Sequence, residues 1–161
     1  MAYADFDFYQ KSYFGDVLTE ETATKWLTRA SDELDGPTFG RLTFAFPTVE
    51  AHAEKVKKAV CAVAEALFYI DVQRRAASAQ KAADGSYRGA VASISSGRES
   101  VSYSANSAAT AYAAAAASPV AHAQLIYSID VMYLANIPDA NGINLLYAGG
   151  VMLVPEHSYG I

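Results

Sequence analysis

The chain has 161 residues, a hydrophobic fraction of 52% and a formal net charge of −5. This length fits one domain with its own core, and the apolar content excludes a chain that is disordered throughout. The negative charge argues against nucleic acid as the main partner, because phosphate binding requires a basic surface. The single cysteine, Cys61, excludes an internal disulfide framework and a cysteine-based metal cluster.

The first ten residues, MAYADFDFYQ, have neither the basic n-region nor the apolar h-region of a signal peptide. We therefore expect the protein to be made in a cytosol. Residues 1–40 contain eight acids and three bases, whereas residues 71–110 contain five bases and three acids. This difference has two readings. It is either an ordinary uneven distribution of charge over a solvated surface, or it indicates two faces that meet oppositely charged neighbours.

Two helices are predicted in the first third of the chain. Aromatic residues at helical spacing predict a short helix over residues 5–13 that ends at Gly15. Thr19 is a plausible N-cap for a second helix, which Gly36 and Pro37 end. The predicted buried stripe of this helix is Ala23, Trp26, Leu27, Ala30 and Leu34. The connector over residues 38–46 is aromatic, so we expect Phe39, Phe44 and Phe46 to be packed down.

The longest helix is predicted to begin after a Thr48 cap and to continue toward Lys81, with Asp84 and Gly85 ending it. Its apolar positions recur at helical spacing for more than five turns, so we expect it to be the central helix of the fold. These positions are Val49, Ala53, Val56, Val60, Val63, Ala64, Leu67 and Ile70.

Residues 87–105 change the period from 3.6 to about 2, which predicts a β-hairpin with a short turn at Ser96 and Gly97. Serine-rich faces bury little, and an isolated hairpin is marginally stable in water. We therefore expect its edges to pair with another chain, such as the same hairpin of a neighbouring subunit. The residues assigned to this inter-subunit or channel surface are Arg88, Ile94, Arg98, Val101 and Tyr103.

Residues 105–117 are alanine-rich and are compatible with either helix or loop. Ser118 followed by Pro119 is a strong helix start, with serine at the N-cap and proline at the first helical position. We expect this helix to end near Asn136. Its predicted inner face is Ala121 or His122, then Leu125, Ile129, Met132 and Tyr133.

Residues 141–155 (NGINLLYAGGVMLVP) contain no charged residue. The segment is interrupted by Gly149 and Gly150 and is too short to span a bilayer, which requires about 20 apolar residues. It must either fold back on its own domain or dock on another protein. The predicted fold class is mainly α: a small helical bundle around one long helix, with an inserted β-hairpin and an extended C-terminal tail. The helical domain is predicted over residues 1–136, and the docking tail over residues 137–161.

No residue pattern predicts catalysis. The three histidines lie on different predicted elements, none with a second ligand at helical spacing, so we expect no metal site. Cys61 lies beside the apolar stripe of the long helix, which favours a buried structural thiol. The acidic residues at 32, 33 and 35 lie near Arg29 and Arg41, which favours structural ion pairing over acid–base chemistry. No glycine or serine spacing fits a phosphate loop or a nucleophile elbow, and we expect no enzyme and no cofactor.

Five motifs, in order, resemble one protein family. They are DFxFYxxxYxG (5–15), RASDELDxxTFGRL (29–42), VKKAVCAVAE (56–65), ISSGRESVSYS (94–104) and YLA…GINLLYAGG (133–150). Together they resemble the adaptor, or head-completion, family of head–tail connector proteins from long-tailed phages and prophages. Each motif is loose, so their common order over nearly the whole chain is the evidence.

The resemblance implies a structural virion protein of the head–tail neck, assembled in the host cytoplasm. Such subunits form a ring, usually a dodecamer, beneath the portal protein; the ring extends the DNA channel and carries the stopper or tail-completion protein. Phage DNA would pass through without sequence-specific binding, and no membrane is involved. By position, portal docking falls to Leu145, Leu146, Tyr147 and Val151. The family often has a basic residue where Ala148 stands, so this docking would be mainly apolar.

An alternative function is a nucleic-acid-binding module, because basic residues concentrate in the middle of the chain. They are Arg74, Arg75, Lys81, Arg88 and Arg98. Steeply salt-dependent binding of duplex DNA by the isolated subunit would support this alternative.

Overall fold

The computed structural model describes residues 2–78, 93–96, 99–102 and 110–147. In this part of the chain the protein is mainly helical, as predicted. Its elements in chain order are α1 (Phe6–Lys11), α2 (Glu20–Asp35), α3 (Arg41–Phe44), α4 (Glu50–Ser78), β1 (Ser93–Ser96), β2 (Glu99–Ser102), α5 (Ala111–Ala117) and α6 (Pro119–Leu134).

The core lies between α4 and the helices packed against it, α2, α5 and α6. The predicted stripe of α2 is confirmed, because all five of its residues are buried. The predicted stripe of α4 is confirmed from Val56 to Ile70. Val49 differs: it lies just before α4, where its carbonyl accepts the His52 and Ala53 N–H groups, and its side chain is exposed.

Tyr9 joins α1 to α4 and to the chain that leads into α2. Its ring is fully buried, and its hydroxyl donates to Glu65 Oε1 at 2.7 Å while accepting the Val17 and Leu18 N–H groups at 2.9 and 3.0 Å. Gly15 lies against the same ring, and a Cβ there would overlap it. The glycine at the predicted end of the first helix is therefore required by a close approach to Tyr9.

The connector between α2 and α4 is only partly packed down. Leu42 is buried and Phe46 is half-buried, but Phe39 and Phe44 are 53% and 75% exposed. The prediction that all three phenylalanines pack down is therefore wrong for Phe39 and Phe44. The short helix α3, which was not predicted, turns Leu42 inward and leaves these two rings outside.

The Ser118–Pro119 start of α6 is confirmed, with the Ser118 hydroxyl accepting the Ala121 N–H group. Residues 111–117 of the alanine-rich segment form α5, which packs against α4 and α6. The buried positions of α6 are Ile126, Asp130 and Leu134, and Met132 is 75% exposed. The predicted inner face was therefore wrong at Met132, because α6 is apolar on nearly all sides and its period does not fix its orientation.

Residues 137–147, hereafter the fold-back segment, return to the helical domain instead of extending from it. The Ile137 N–H donates to Leu134 O, and the Leu145 N–H donates to Ile137 O at 2.8 Å. Pro138 and Asn144 form an antiparallel bridge, and Leu145 is 0% exposed. The predicted extended tail is thus corrected over these residues, because burial of Leu145 and paired backbone groups stabilise the return.

Strands β1 and β2 pair antiparallel, with Ile94 opposite Val101. The residues on both sides of this pair, and the turn at Gly97, lie outside the described residues. The inserted hairpin over residues 87–105 therefore stays a prediction. No helix in the described ranges is long and apolar enough to cross a membrane.

Candidate docking surface

Arg41 at the start of α3 fixes the fold-back segment to the helical domain. Its Nη1 donates to the carbonyl oxygens of Asn144 and Leu145 at 2.9 and 3.3 Å. Its Nε lies 4.0 Å from Asp139 Oδ2, and both side chains are largely buried. A guanidinium suits this role because its planar set of donors can reach several acceptors at once.

Asp139 organises the turn inside the fold-back segment. One carboxylate oxygen accepts the Asn141 and Ile143 N–H groups at 2.8 and 2.9 Å, and the Asp139 N–H donates to Ile143 O at 2.7 Å. Gly142 has φ +81°, a left-handed conformation that favours glycine. Ala140 N–H donates to Ala45 O at 3.0 Å, which joins the turn directly to α3.

The two joined segments carry four large exposed apolar side chains, which we call the docking surface. They are Phe39, Phe44, Ile143 and Tyr147, with exposed fractions of 53, 75, 44 and 54%. The Arg41 guanidinium lies 5.6 Å from the Phe39 ring, which places that ring beside the segment Arg41 holds. Exposed apolar side chains supported by buried polar contacts are typical of a surface that binds another protein.

Phe39 has a strained backbone. Its φ is +55°, and Gly40 beside it has φ +69°. A bulky residue rarely adopts this conformation, which costs about 1–2 kcal/mol for an L-residue. Phe14, which lies outside the docking surface, has the same combination of features, with φ +60° and an exposed fraction of 81%.

The four predicted portal-docking residues have different locations. Leu145 lies in the core, so docking through its side chain would require the fold-back segment to leave that core. Leu146 is half-buried against the core, and Tyr147 is exposed on the docking surface. Val151 lies outside the described residues. Sequence reasoning missed Arg41 and Asp139, which lie far apart in the chain and have no local pattern in common.

The predicted hairpin and basic residues are described only in part. Ile94 is paired in register with Val101 in the two strands, whereas Arg88, Arg98, Tyr103 and Lys81 lie outside the described residues. Arg75 Nε lies 2.7 Å from Asp71 Oδ2. Arg74 lines a cleft that also contains acidic residues. The nucleic-acid alternative therefore stays a prediction.

That cleft, of about 490 Å³, lies between α2, α4 and α6. His122 Nε2 is 3.5 Å from Glu33 Oε1 in this cleft, and outside it Asp35 accepts the Tyr3 hydroxyl at 2.6 Å. Arg41 pairs with Asp139 and not with the acidic residues at 32, 33 and 35, which corrects its predicted partner. The cleft residues are Trp26, Arg29, Asp32, Glu33, Gly36, Leu67, Asp71, Arg74 and His122. Their charges are of both signs, an arrangement suited to structural ion pairing.

Cys61 is fully buried, as predicted, and burial raises the pKa of its thiol to about 12. Such a thiol stays protonated at neutral pH and is a poor nucleophile. Among the described residues, no group of three histidine, cysteine, aspartate or glutamate side chains could hold a metal ion.

Charged residues are almost absent from residues 100–155. Between residues 100 and 155 the only charged residues are Asp130 and Asp139, and both are buried, at 0% and 6% exposed. The surface contributed by residues 110–147 therefore has no exposed Asp, Glu, Lys or Arg side chain. Depletion of charged residues distinguishes the core of protein–protein interfaces from the rest of a protein surface.

Comparison with models of known protein families, with curated proteins and with solved structures gives no significant match for this chain.

Proposed function

We propose that this protein is a structural, non-enzymatic adaptor of a tailed-phage neck. In this proposal its copies form a ring below the portal protein, extend the DNA channel and carry the stopper or tail-completion protein. The ring would have twelve copies if it follows the family that the sequence resembles. The final location would be the virion, after assembly in the host cytoplasm.

The observation that carries the proposal is the stretch of residues 100–155, whose only two charged residues, Asp130 and Asp139, are buried. A protein that acts alone in water has no need for a long stretch whose only two charges are buried. An assembly protein does need one, because charged side chains are costly to desolvate at the centre of an interface. The ordered family resemblance supplies the identity of the assembly.

The fold-back segment changes how portal docking would work. Arg41 and Leu145 hold residues 137–147 to the subunit. Tyr147 is the last residue of this segment, so the residues that follow it begin at the surface of the subunit. Residues 148–155 contain no charged residue. We assign portal contact to Tyr147, Val151 and the residues near them, and a supporting role within the subunit to Leu145.

The inserted hairpin belongs to the same proposal. Its residues Ile94 and Val101 would contribute to contacts between neighbouring subunits, together with Tyr103. Arg88 and Arg98 would lie near the DNA channel, where weak, sequence-independent attraction to phosphate suffices.

Two truncations test the proposal. A chain that ends at Tyr147 keeps the whole fold-back segment, so it should stay folded but lose binding to the portal protein encoded with it. A chain that ends at Ala140 loses Leu145 and both carbonyl acceptors of Arg41, so it should also lose stability. Circular dichroism measures folding, and co-sedimentation with purified portal rings measures binding. Full binding by the chain that ends at Tyr147 would contradict the assigned role of the later residues.

A further inference from the structure

We propose that α6 is a pH-sensitive element of the fold, which opens from the bundle as pH rises while α2 and α4 stay packed together. The inference starts from Asp130, a fully buried carboxyl group at the centre of the face that holds α6 to the core. It does not depend on the proposed adaptor function, since it concerns the isolated subunit.

Asp130 lies one turn after Ile126 and one turn before Leu134, in the buried stripe of α6. It is 0% exposed, and neither carboxyl oxygen has a hydrogen-bond partner within the described residues. A neutral carboxyl group can stay in such a site, but an ionised one without a partner is costly to keep out of water. Because the side chain has no exposed surface, hydrating the carboxylate requires α6 to move away from the core.

The groups around α6 add to this cost instead of offsetting it. Burial is the main cause of the raised pKa of Asp130, and the negative charge of Glu33 on α2 adds to it. No cation among the described residues lowers that pKa. The other titratable or charged side chains that α2, α4 and α5 place on this side of the fold are Arg29, Asp32, Cys61, Glu65, Tyr69, Asp71, Arg74 and Tyr112.

His122 lies two turns before Asp130 on the same helix and also contacts Glu33. Its Nε2 is 3.5 Å from Glu33 Oε1, and its Nδ1 is buried with no partner within the described residues. Nε2 can carry a proton in the neutral ring as well as in the charged one, so this contact does not require the charged form. We therefore assign the pH response to Asp130 and not to His122.

Helix α6 is held more weakly than α2, which makes it the element that opens. Besides Asp130 it buries Ile126 and Leu134, with Ile129 and Tyr133 partly buried, whereas α2 buries five apolar side chains. An element with few buried apolar contacts opens at a lower free energy than the core. Opening of α6 would thus hydrate Asp130 without unfolding the α2–α4 pair.

The chain on both sides of α6 permits a local opening. Ser118 has an extended backbone and separates α5 from α6, so no continuous helix crosses this junction. After α6, the fold-back segment is held by Arg41 of α3, which donates to the Asn144 and Leu145 carbonyls. Both neighbours of α6 therefore have contacts of their own that do not pass through Asp130.

Hydrogen exchange of the full chain, corrected for the intrinsic exchange rate at each pH, tests the proposal. Protection of amides in the middle of α6 should fall roughly fiftyfold between pH 5 and pH 7, because Asp130 ionises near pH 4 when hydrated and near pH 7 when buried. Low concentrations of urea should leave this exchange unchanged, since a local opening exposes little surface. Amides in the middle of α4 should be better protected, and urea should accelerate their exchange.

Two results with the unsubstituted chain would overturn the proposal, whichever variants fold. One is α6 protection that does not fall between pH 5 and pH 7. The other is equal protection and equal urea dependence in α4 and α6, which would show that α6 opens only when the whole domain unfolds.

Four variants identify the group responsible. Asp130→Asn removes the charge at nearly constant size, so α6 protection should lose its dependence on pH. Glu33→Gln removes the neighbouring charge and should make the fall smaller. Glu21→Gln makes the same change at an exposed position of α2 and should leave the fall unchanged. His122→Gln keeps a donor near Glu33 and should also retain the fall. A fall that persists in Asp130→Asn, or that disappears in His122→Gln, would overturn the assignment to Asp130.

Discussion

Asp130 is a carboxyl group in the interior of the bundle. It is 0% exposed, and neither of its oxygens has a hydrogen-bond partner within the described part of the structure. Burial, with a smaller contribution from the charge of Glu33, raises the pKa of Asp130 to about 7. His122, on the same helix, also has a buried ring nitrogen, Nδ1, with no partner there. The protein therefore keeps Asp130 neutral at mildly acidic pH at the expense of stability at higher pH.

This raised pKa predicts how stability depends on pH. In the unfolded chain Asp130 ionises near pH 4, whereas in the folded protein it stays protonated until about pH 7. The unfolded state binds fewer protons in this window, so the free energy of unfolding should fall as pH rises from 4 to 7. The loss from this group is roughly 4 kcal/mol at most.

Asp130→Asn removes the titrating group and should flatten that part of the pH profile. Urea unfolding at pH 4, 5, 6 and 7 measures the free energy of unfolding of both proteins. The difference between them should grow with pH and level off above pH 7. An equal slope in the two proteins would show that Asp130 does not cause the dependence.

At the scale of elements, the fold-back segment depends on one side chain from α3. Arg41→Lys keeps the positive charge but cannot reach both the Asn144 and Leu145 carbonyls and Asp139 as the guanidinium does. We expect it to lower the free energy of unfolding by about 2 kcal/mol, the typical scale for hydrogen bonds from a charged donor. Arg41→Met should lower it further, because Asp139 then loses its buried ionic partner.

Hydrogen exchange locates this effect. The Leu145 and Ala140 N–H groups bond to Ile137 O and Ala45 O, so their exchange reports opening of the fold-back segment. Both amides should exchange faster in Arg41→Lys, while amides in the middle of α4 should change little. Uniform acceleration in all helices would instead indicate that Arg41 supports the whole domain.

The sequence predicts α2 and most of α4 because their apolar residues keep one face. Trp26, Leu27 and Leu34 on α2 leave a single orientation that buries them. Helix α6 has no such constraint: apolar residues surround it, and the buried Asp130 breaks the rule that charges face water. Its boundaries could be predicted from Ser118 and Pro119, but its orientation could not.

The fold-back segment was beyond sequence reasoning for a different reason. Its stability depends on Arg41, about a hundred positions earlier in the chain, and on backbone groups that have no residue signature. The apolar composition of residues 141–155 indicated that something must bury them. That composition could not show that Leu145 is buried by its own subunit whereas Tyr147 stays exposed.

At the scale of the whole molecule, the chain separates its surface into a charged and an uncharged part. Residues 1–40 carry eight acids and three bases, whereas residues 110–147 expose no charged side chain. The uncharged part includes the exposed side chains of α6 and half of the docking surface, Ile143 and Tyr147. This division supports the adaptor proposal, because depletion of charged residues is characteristic of the core of protein–protein interfaces.

The most direct test of the adaptor proposal is electron microscopy of purified portal rings mixed with an excess of this protein. The proposal predicts one added ring of density below the portal, coaxial with its channel and made of twelve subunits. The chain that ends at Tyr147 is the matched control and should add no density. Portal rings that stay unchanged beside folded full-length protein would contradict the proposal.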